Sequence, residues 1–172
     1  LIGNGFDCAH NLPTRYRDFF YWYWENRFNG IFNERTNTSE DILCSITTLK
    51  YESWYMFIFY NRIGLSSLDR EEFYKKLCNK NDFTIKYTPF FDRIRKSIEE
   101  KRWVDIETEY YELLKFYSQS EDGISQIEML NKQLYYLQEK LVEYLKTIEI
   151  SDKLIRSDIT QKIYAPFNIS DF

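Results

Sequence analysis

Seven apolar residues, Ile127, Leu130, Leu134, Leu137, Leu141, Tyr144 and Ile148, recur at alternating steps of three and four. That spacing draws one continuous apolar seam along a helix of three heptads. Such a seam must be covered by another helix, and two arrangements do this. A coiled coil between two chains would make 127–148 a surface for a homo-oligomer or a partner protein. An antiparallel hairpin would cover it from within. A helix is expected over Trp103 to Tyr117, with Ile106, Tyr110, Leu113, Leu114 and Tyr117 on its buried face, and the turn from Ser118 to Gly123 is short. The hairpin satisfies the seam inside the chain and is the favoured arrangement.

Most of the remaining chain also carries helical spacing. A helix is expected from Thr14, as N-cap, to Asn29-Gly30, with Tyr16, Phe19, Phe20, Tyr23 and Trp24 on its faces. The string from Phe20 to Trp24 covers every side of that helix, so part of it must be core. After a loop at 31–39, Ser39 with Glu40 and Asp41 reads as the start of a second helix running to Ile63 and stopped by Gly64. Ser67 opens a shorter helix to Leu77, residues 79–88 form a connection, and Pro89 opens a helix carrying Phe91, Ile94 and Ile98. Strand character is confined to the ends, at Leu1-Ile2 and at Lys162 to Phe167, where Pro166 limits pairing.

The first strand leads directly into Gly3-Asn4-Gly5, then a polar stretch and a helix start. Two glycines allow a sharp turn and close backbone approach to a ligand. Free N–H groups at such a turn and at a helix N-terminus attract anions. A lone G-x-G also fits an ordinary strand-to-helix turn, and the third glycine of the dinucleotide fingerprint is missing. Asp7, His10, Asn11 and Thr14 crowd the same loop.

Composition narrows the function classes. The 44% apolar content supports a packed core. A net charge of −4 weighs against a nucleic-acid partner, which usually meets a basic face. Cys8, Cys44 and Cys78 are spaced neither as zinc ligands nor as a disulfide framework, and no metal is expected. No run reaches the length of a membrane span, the densest being Trp54 to Tyr60, and no signal peptide is visible, so a cytoplasmic protein is expected. The chain opens in mid-strand without an initiator Met, which is expected of a fragment.

The run Ile2-Gly3-Asn4-Gly5-Phe6-Asp7, with His10, Leu12, Thr14, Tyr16, Asp18 and Phe19 at fixed offsets, resembles the N-terminal signature of the bacteriophage abortive infection family AbiH. Asn11 stands where that family commonly has glycine. Trp103-Val104-Asp105-Ile106-Glu107 resembles its W-x-D-x-E helix start, and Phe167-Asn168-Ile169-Ser170 its F-N-Y-T element. More distantly, Gly3-Asn4-Gly5 followed by Asn11-Leu12-Pro13-Thr14 is similar to the opening of sirtuin-like NAD-binding domains, in which a later Asn reaches the nicotinamide ribose. Asn168 could occupy that place.

The resemblance implies an α/β fold: a Rossmann-like, sirtuin-type nucleotide-binding core, represented here mostly by its large helical insertion with strands only at the two ends. One incomplete domain over 1–172 is expected. It would comprise the strand, loop and helix at 1–30, a helical insertion over 31–155, and a second core strand with the Asn loop at 156–172. The implied activity is phage defence through NAD or another nucleotide, with hydrolysis as one outcome. Gly3, Asn4, Gly5, Phe6, Asp7 and Thr14 would bind the cofactor. Asn168, His10, Asp7 and Glu107 would form the catalytic set. Other roles compete for these residues. Asp7 also suits a turn cap. His10, with a pKa near neutrality, suits proton transfer or simple hydrogen bonding. Glu107 borders the buried stripe as a general base or as a solvated edge residue, while Asp105 and Glu109 are expected to face water. Two other functions fit the same residues. One is a non-catalytic nucleotide sensor. The other is a nuclease-type toxin using Asp105 and Glu107, which the absence of a basic groove disfavours.

Overall fold

The computed structural model describes residues 12–49, 83–101 and 105–148, together with Tyr74, Ser157 and Gln161. Within them are α1 (Tyr16–Glu34), β1 (Thr38–Glu40), β2 (Cys44–Thr48), β3 (Phe83–Tyr87), α2 (Pro89–Lys101), α3 (Ile106–Tyr117) and α4 (Gly123–Lys146). The architecture is mixed α/β, with a small antiparallel sheet in the order β1-β2-β3. The end strands expected at Leu1-Ile2 and 162–167, and most of the helix expected at 67–77, lie outside the described residues.

α1 is the centre of the packing. Phe19, Phe20, Tyr21, Tyr23, Trp24, Phe28 and Ile31 are all buried, on several sides of the helix. A helix apolar all round belongs inside a fold. It meets α2, α4 and the sheet. Edge-to-face ring pairs such as Phe20–Trp24, Tyr23–Phe91 and Phe20–Tyr74 fill the space between. The helix does not close at Gly30 but runs on to Glu34, because Gly30 holds a right-handed conformation with open space beside it. Its cap position is Arg15, one residue past the expected Thr14. Asp18 accepts from the Arg15 N–H at 3.3 Å, the reciprocal half of a capping box.

The first part of the helix expected from Ser39 to Ile63 is instead a hairpin, and its remainder from residue 50 lies outside the described residues. Thr38 pairs with Thr47 and Glu40 with Ser45. Asp41 is the reason. Its Oδ1 accepts from the backbone N–H of Leu43 at 2.8 Å and of Cys44 at 3.0 Å, and its own N–H donates to the Cys44 carbonyl. An Asp that bonds the backbone two and three residues on makes a tight turn, and β-branched Ile46, Thr47 and Thr48 suit the strand that follows. Cys44, Ile46 and Thr48 point inward. The expected connection at 79–88 contains β3, whose residues pair with β2 from Cys44↔Tyr87 to Thr48↔Phe83. Strands therefore occur inside the chain, where the residue spacing predicts only helices and connections.

The later elements follow their local chemistry. Thr88 caps α2 through its hydroxyl and carbonyl, with Pro89 at the first helical position. Asp105 caps α3. α3 and α4 form the expected hairpin, with Leu130, Leu137 and Tyr144 of the seam buried and Leu134 and Leu141 packed beside them. The seam is thus covered by the chain's own helices. Ser97 to Glu109 and Tyr110 to Asn131 are hydrogen bonds that stitch α2 to α3 and α3 to α4.

Candidate functional site

Of the residues singled out by sequence, Gly3, Asn4, Gly5, Phe6, Asp7, His10 and Asn168 lie outside the described part of the chain. Thr14 and Glu107 lie within it. Thr14 is half-buried just ahead of α1. Next to it, the Pro13 carbonyl accepts a hydrogen bond from the Tyr144 hydroxyl on the last turns of α4. The Tyr144 ring packs against Phe19 and Trp22 at 6.0 and 5.4 Å. The segment that carries the N-terminal motif is therefore fastened against α4 at its downstream end.

Glu107 sits in the first turn of α3 and borders a cavity of about 450 Å³. α1 contributes Tyr16 and Phe19 to it. α3 contributes Ile106, Glu107, Tyr110 and Tyr111, and α4 contributes Leu134, Leu137, Gln138 and Leu141. The walls are aliphatic and aromatic, with a few polar groups at the rim, the usual make-up of a small-molecule site. The Tyr110 hydroxyl donates to Asn131 Oδ1 at 2.6 Å, so its proton is already committed. Burial, then the charges of Glu107 and Asp105, raise the pKa of the Tyr16 phenol, which remains a proton donor well above neutral pH.

The three acids near this cavity have separate roles. Asp105 accepts from the Thr108 N–H at 3.0 Å, and that bond holds its carboxyl below the usual carboxylate range; it is the cap of α3. Glu109, expected to face water, is half-buried, accepts from Ser97 at 3.0 Å and meets Arg93 at 3.7 Å. Glu107 alone of the three borders the cavity. Of the two acids expected for a nuclease arrangement, Asp105 spends one carboxylate oxygen on the α3 cap and Glu107 borders the cavity. Among the described residues no cluster of His, Cys, Asp and Glu is arranged to hold a metal.

A second polar centre was not legible in the sequence. Asp41 Oδ2 accepts from the hydroxyls of Tyr23 at 2.7 Å and Tyr136 at 3.2 Å and lies 3.4 Å from Arg27. Tyr23 also meets Cys44 Sγ at 3.2 Å. Burial, then the neighbouring acid, pushes the Tyr136 phenol up, and burial raises the Cys44 thiol to about 11. With its ligating and nucleophilic groups held neutral or paired, this cluster joins α1, the hairpin and α4. A smaller cleft of about 300 Å³ lies beside it, lined by Arg27, Tyr136 and Lys140 among others.

No helix among the described residues is long and apolar enough to cross a membrane. No curated protein and no solved structure matches the chain, so the distant likeness to sirtuin-type domains gains no support there. The family model for bacteriophage abortive infection AbiH matches residues 1–169, nearly the whole chain, and the chain belongs to that family.

Proposed function

We propose that this AbiH-family protein binds a nucleotide, NAD foremost, in a Rossmann-like core and hydrolyses its glycosidic bond as its part in abortive infection. The observation that carries this reading is the Glu107 cavity, which opens against the start of α1, directly after the segment with the Gly-Asn-Gly motif. The Gly3–Gly5 turn, with Phe6 and Thr14, would hold the diphosphate through backbone N–H groups. Asp7, His10 and Asn168 would position the ribose and a water. In the reaction, water oxygen forms a bond to the anomeric carbon while the carbon–nitrogen bond breaks. The nicotinamide leaves with the bonding pair, and Glu107 or His10 takes the proton from water.

The test uses the full-length protein with NAD, following nicotinamide release and plaque formation on cells that carry it. Wild type is expected to release nicotinamide and to restrict phage. Gly5→Asp should abolish binding, and Asn168→Ala should lower turnover more than binding. NAD binding without turnover in wild type would replace hydrolysis by a sensor role. Neither binding nor release in phage-infected extracts would overturn the nucleotide reading.

A further inference from the structure

The cavity between α1, α3 and α4 has a distinct charge pattern as well as a shape. Among the described residues no Lys or Arg lines it. Among the described residues the one formal charge on its wall is the Glu107 carboxylate. Neither that carboxylate nor the Gln138 side-chain amide has a hydrogen-bond or ion-pair partner among the described residues, while Tyr110, Asp105 and Glu109 nearby are all engaged. The rest of the wall is apolar: aromatic at Tyr16, Phe19 and Tyr111, aliphatic at Leu134, Leu137 and Leu141.

Each feature constrains the ligand. A phosphate or carboxylate would enter a largely apolar space facing a negative charge, with no cation among the described residues to neutralise it. A flat ring gains area against aromatic faces, and a positive ring gains further from their π electrons. Glu107 can only accept hydrogen bonds, and Gln138 can both donate and accept. An amino or carboxamide group on the ring satisfies both at once.

We infer that the cavity holds the ring of a nitrogen heterocycle, neutral or cationic, bearing an amino or amide N–H directed at Glu107, with any phosphate kept outside. The site deepens the nucleotide reading and rests on it for the ligand's remainder, but the ring is recognised without that remainder. Two sources share this chemistry, a pyridinium carboxamide and an aminopurine, and charge separates them.

The experiment is calorimetric titration of the full-length protein with nicotinamide riboside, adenosine and NAD, repeated on Glu107→Gln and Glu107→Lys. Glu107 is exposed, so both variants are expected to fold, which circular dichroism checks. Binding of at least one nucleoside is expected, weakened about tenfold by Glu107→Gln and lost in Glu107→Lys. A larger loss for the riboside than for adenosine identifies the cationic ring; equal losses identify the purine. Nucleoside binding unchanged by Glu107→Lys, or no nucleoside binding at millimolar concentration, overturns the inference. NAD bound equally by wild type and Glu107→Lys also overturns it while leaving the nucleotide reading intact. Nucleoside binding without NAD binding overturns that reading and leaves the inference standing.

Discussion

Replacing Asp41 by alanine removes the most densely used side chain in the described structure. Its two oxygens accept from two backbone amides and two phenols, and Arg27 lies at 3.4 Å. The Asp41 and Arg27 side chains are only 7% and 15% exposed, so this is a buried pair. A surface pair would contribute at most about 1 kcal/mol. Removing one member of a buried pair costs about 3–5 kcal/mol, because the partner charge stays desolvated and uncompensated. The turn amides of Leu43 and Cys44, both buried residues, lose their acceptor as well, which keeps the loss inside that range even where the structure relaxes. The expected loss is about 4 kcal/mol. Arg27→Met leaves Asp41 its four hydrogen bonds and should cost about half as much. The double variant should then be more stable than the sum of the two losses by about 1–2 kcal/mol. Urea denaturation of the four proteins, followed by far-ultraviolet circular dichroism and tryptophan fluorescence, measures all of these terms. A loss below about 1 kcal/mol for Asp41→Ala, or strict additivity, would refute the claim that this charge is held by burial and pairing.

Gly123→Ala places a Cβ 2.1 Å from the Tyr117 carbonyl oxygen, a backbone atom that cannot step aside. Thermal melts should show a loss of at least about 2–3 kcal/mol, and an unchanged melting temperature would mean the α3–α4 turn is built differently. Gly30→Ala adds a methyl into open space in mid-helix and should raise stability by about 0.5–1 kcal/mol in the same assay. The Cys44 thiol, raised from near 9 to about 11 by burial, stays protonated in the fold after its unfolded counterpart has ionised. Its contribution is therefore complete below pH 9 and is lost as pH rises toward 11. Wild type should lose up to about 2 kcal/mol more than Cys44→Ala across that interval, and parallel pH curves for the two would contradict it.

What could be read from residues alone depended on how local the deciding interaction was. Pro89 and the seam of α4 act within one or two turns, so the start of α2 and the α3–α4 hairpin follow from the sequence, whereas α3 begins at Ile106 behind an Asp105 cap and not at the expected Trp103. Ser39-Glu40-Asp41 misleads because a helix start and a tight hairpin turn use the same residue types. Only pairing with β3, some forty residues away, selects the hairpin. Phe83-Thr84-Ile85-Lys86-Tyr87 alternates strictly, a strand signal in itself, yet five residues before a helix also suit a connection. The cavity was hidden for a different reason. Leu134, Leu137 and Leu141 belong to the seam, and periodicity shows that they face inward without showing whether a neighbour reaches them. Gln138 beside them was the overlooked sign, a polar residue at the edge of an apolar stripe.

The hydrogen bond from Tyr144 to the Pro13 carbonyl spans 131 residues. On a ribosome adding about 5–20 residues per second, Pro13 waits roughly 7–26 s for that partner to be synthesised. The cavity shares the delay, because α4 supplies one of its walls. A nascent chain therefore exposes α1, the sheet and α3 before this pocket can form, and a chain that stops before α4 never acquires one.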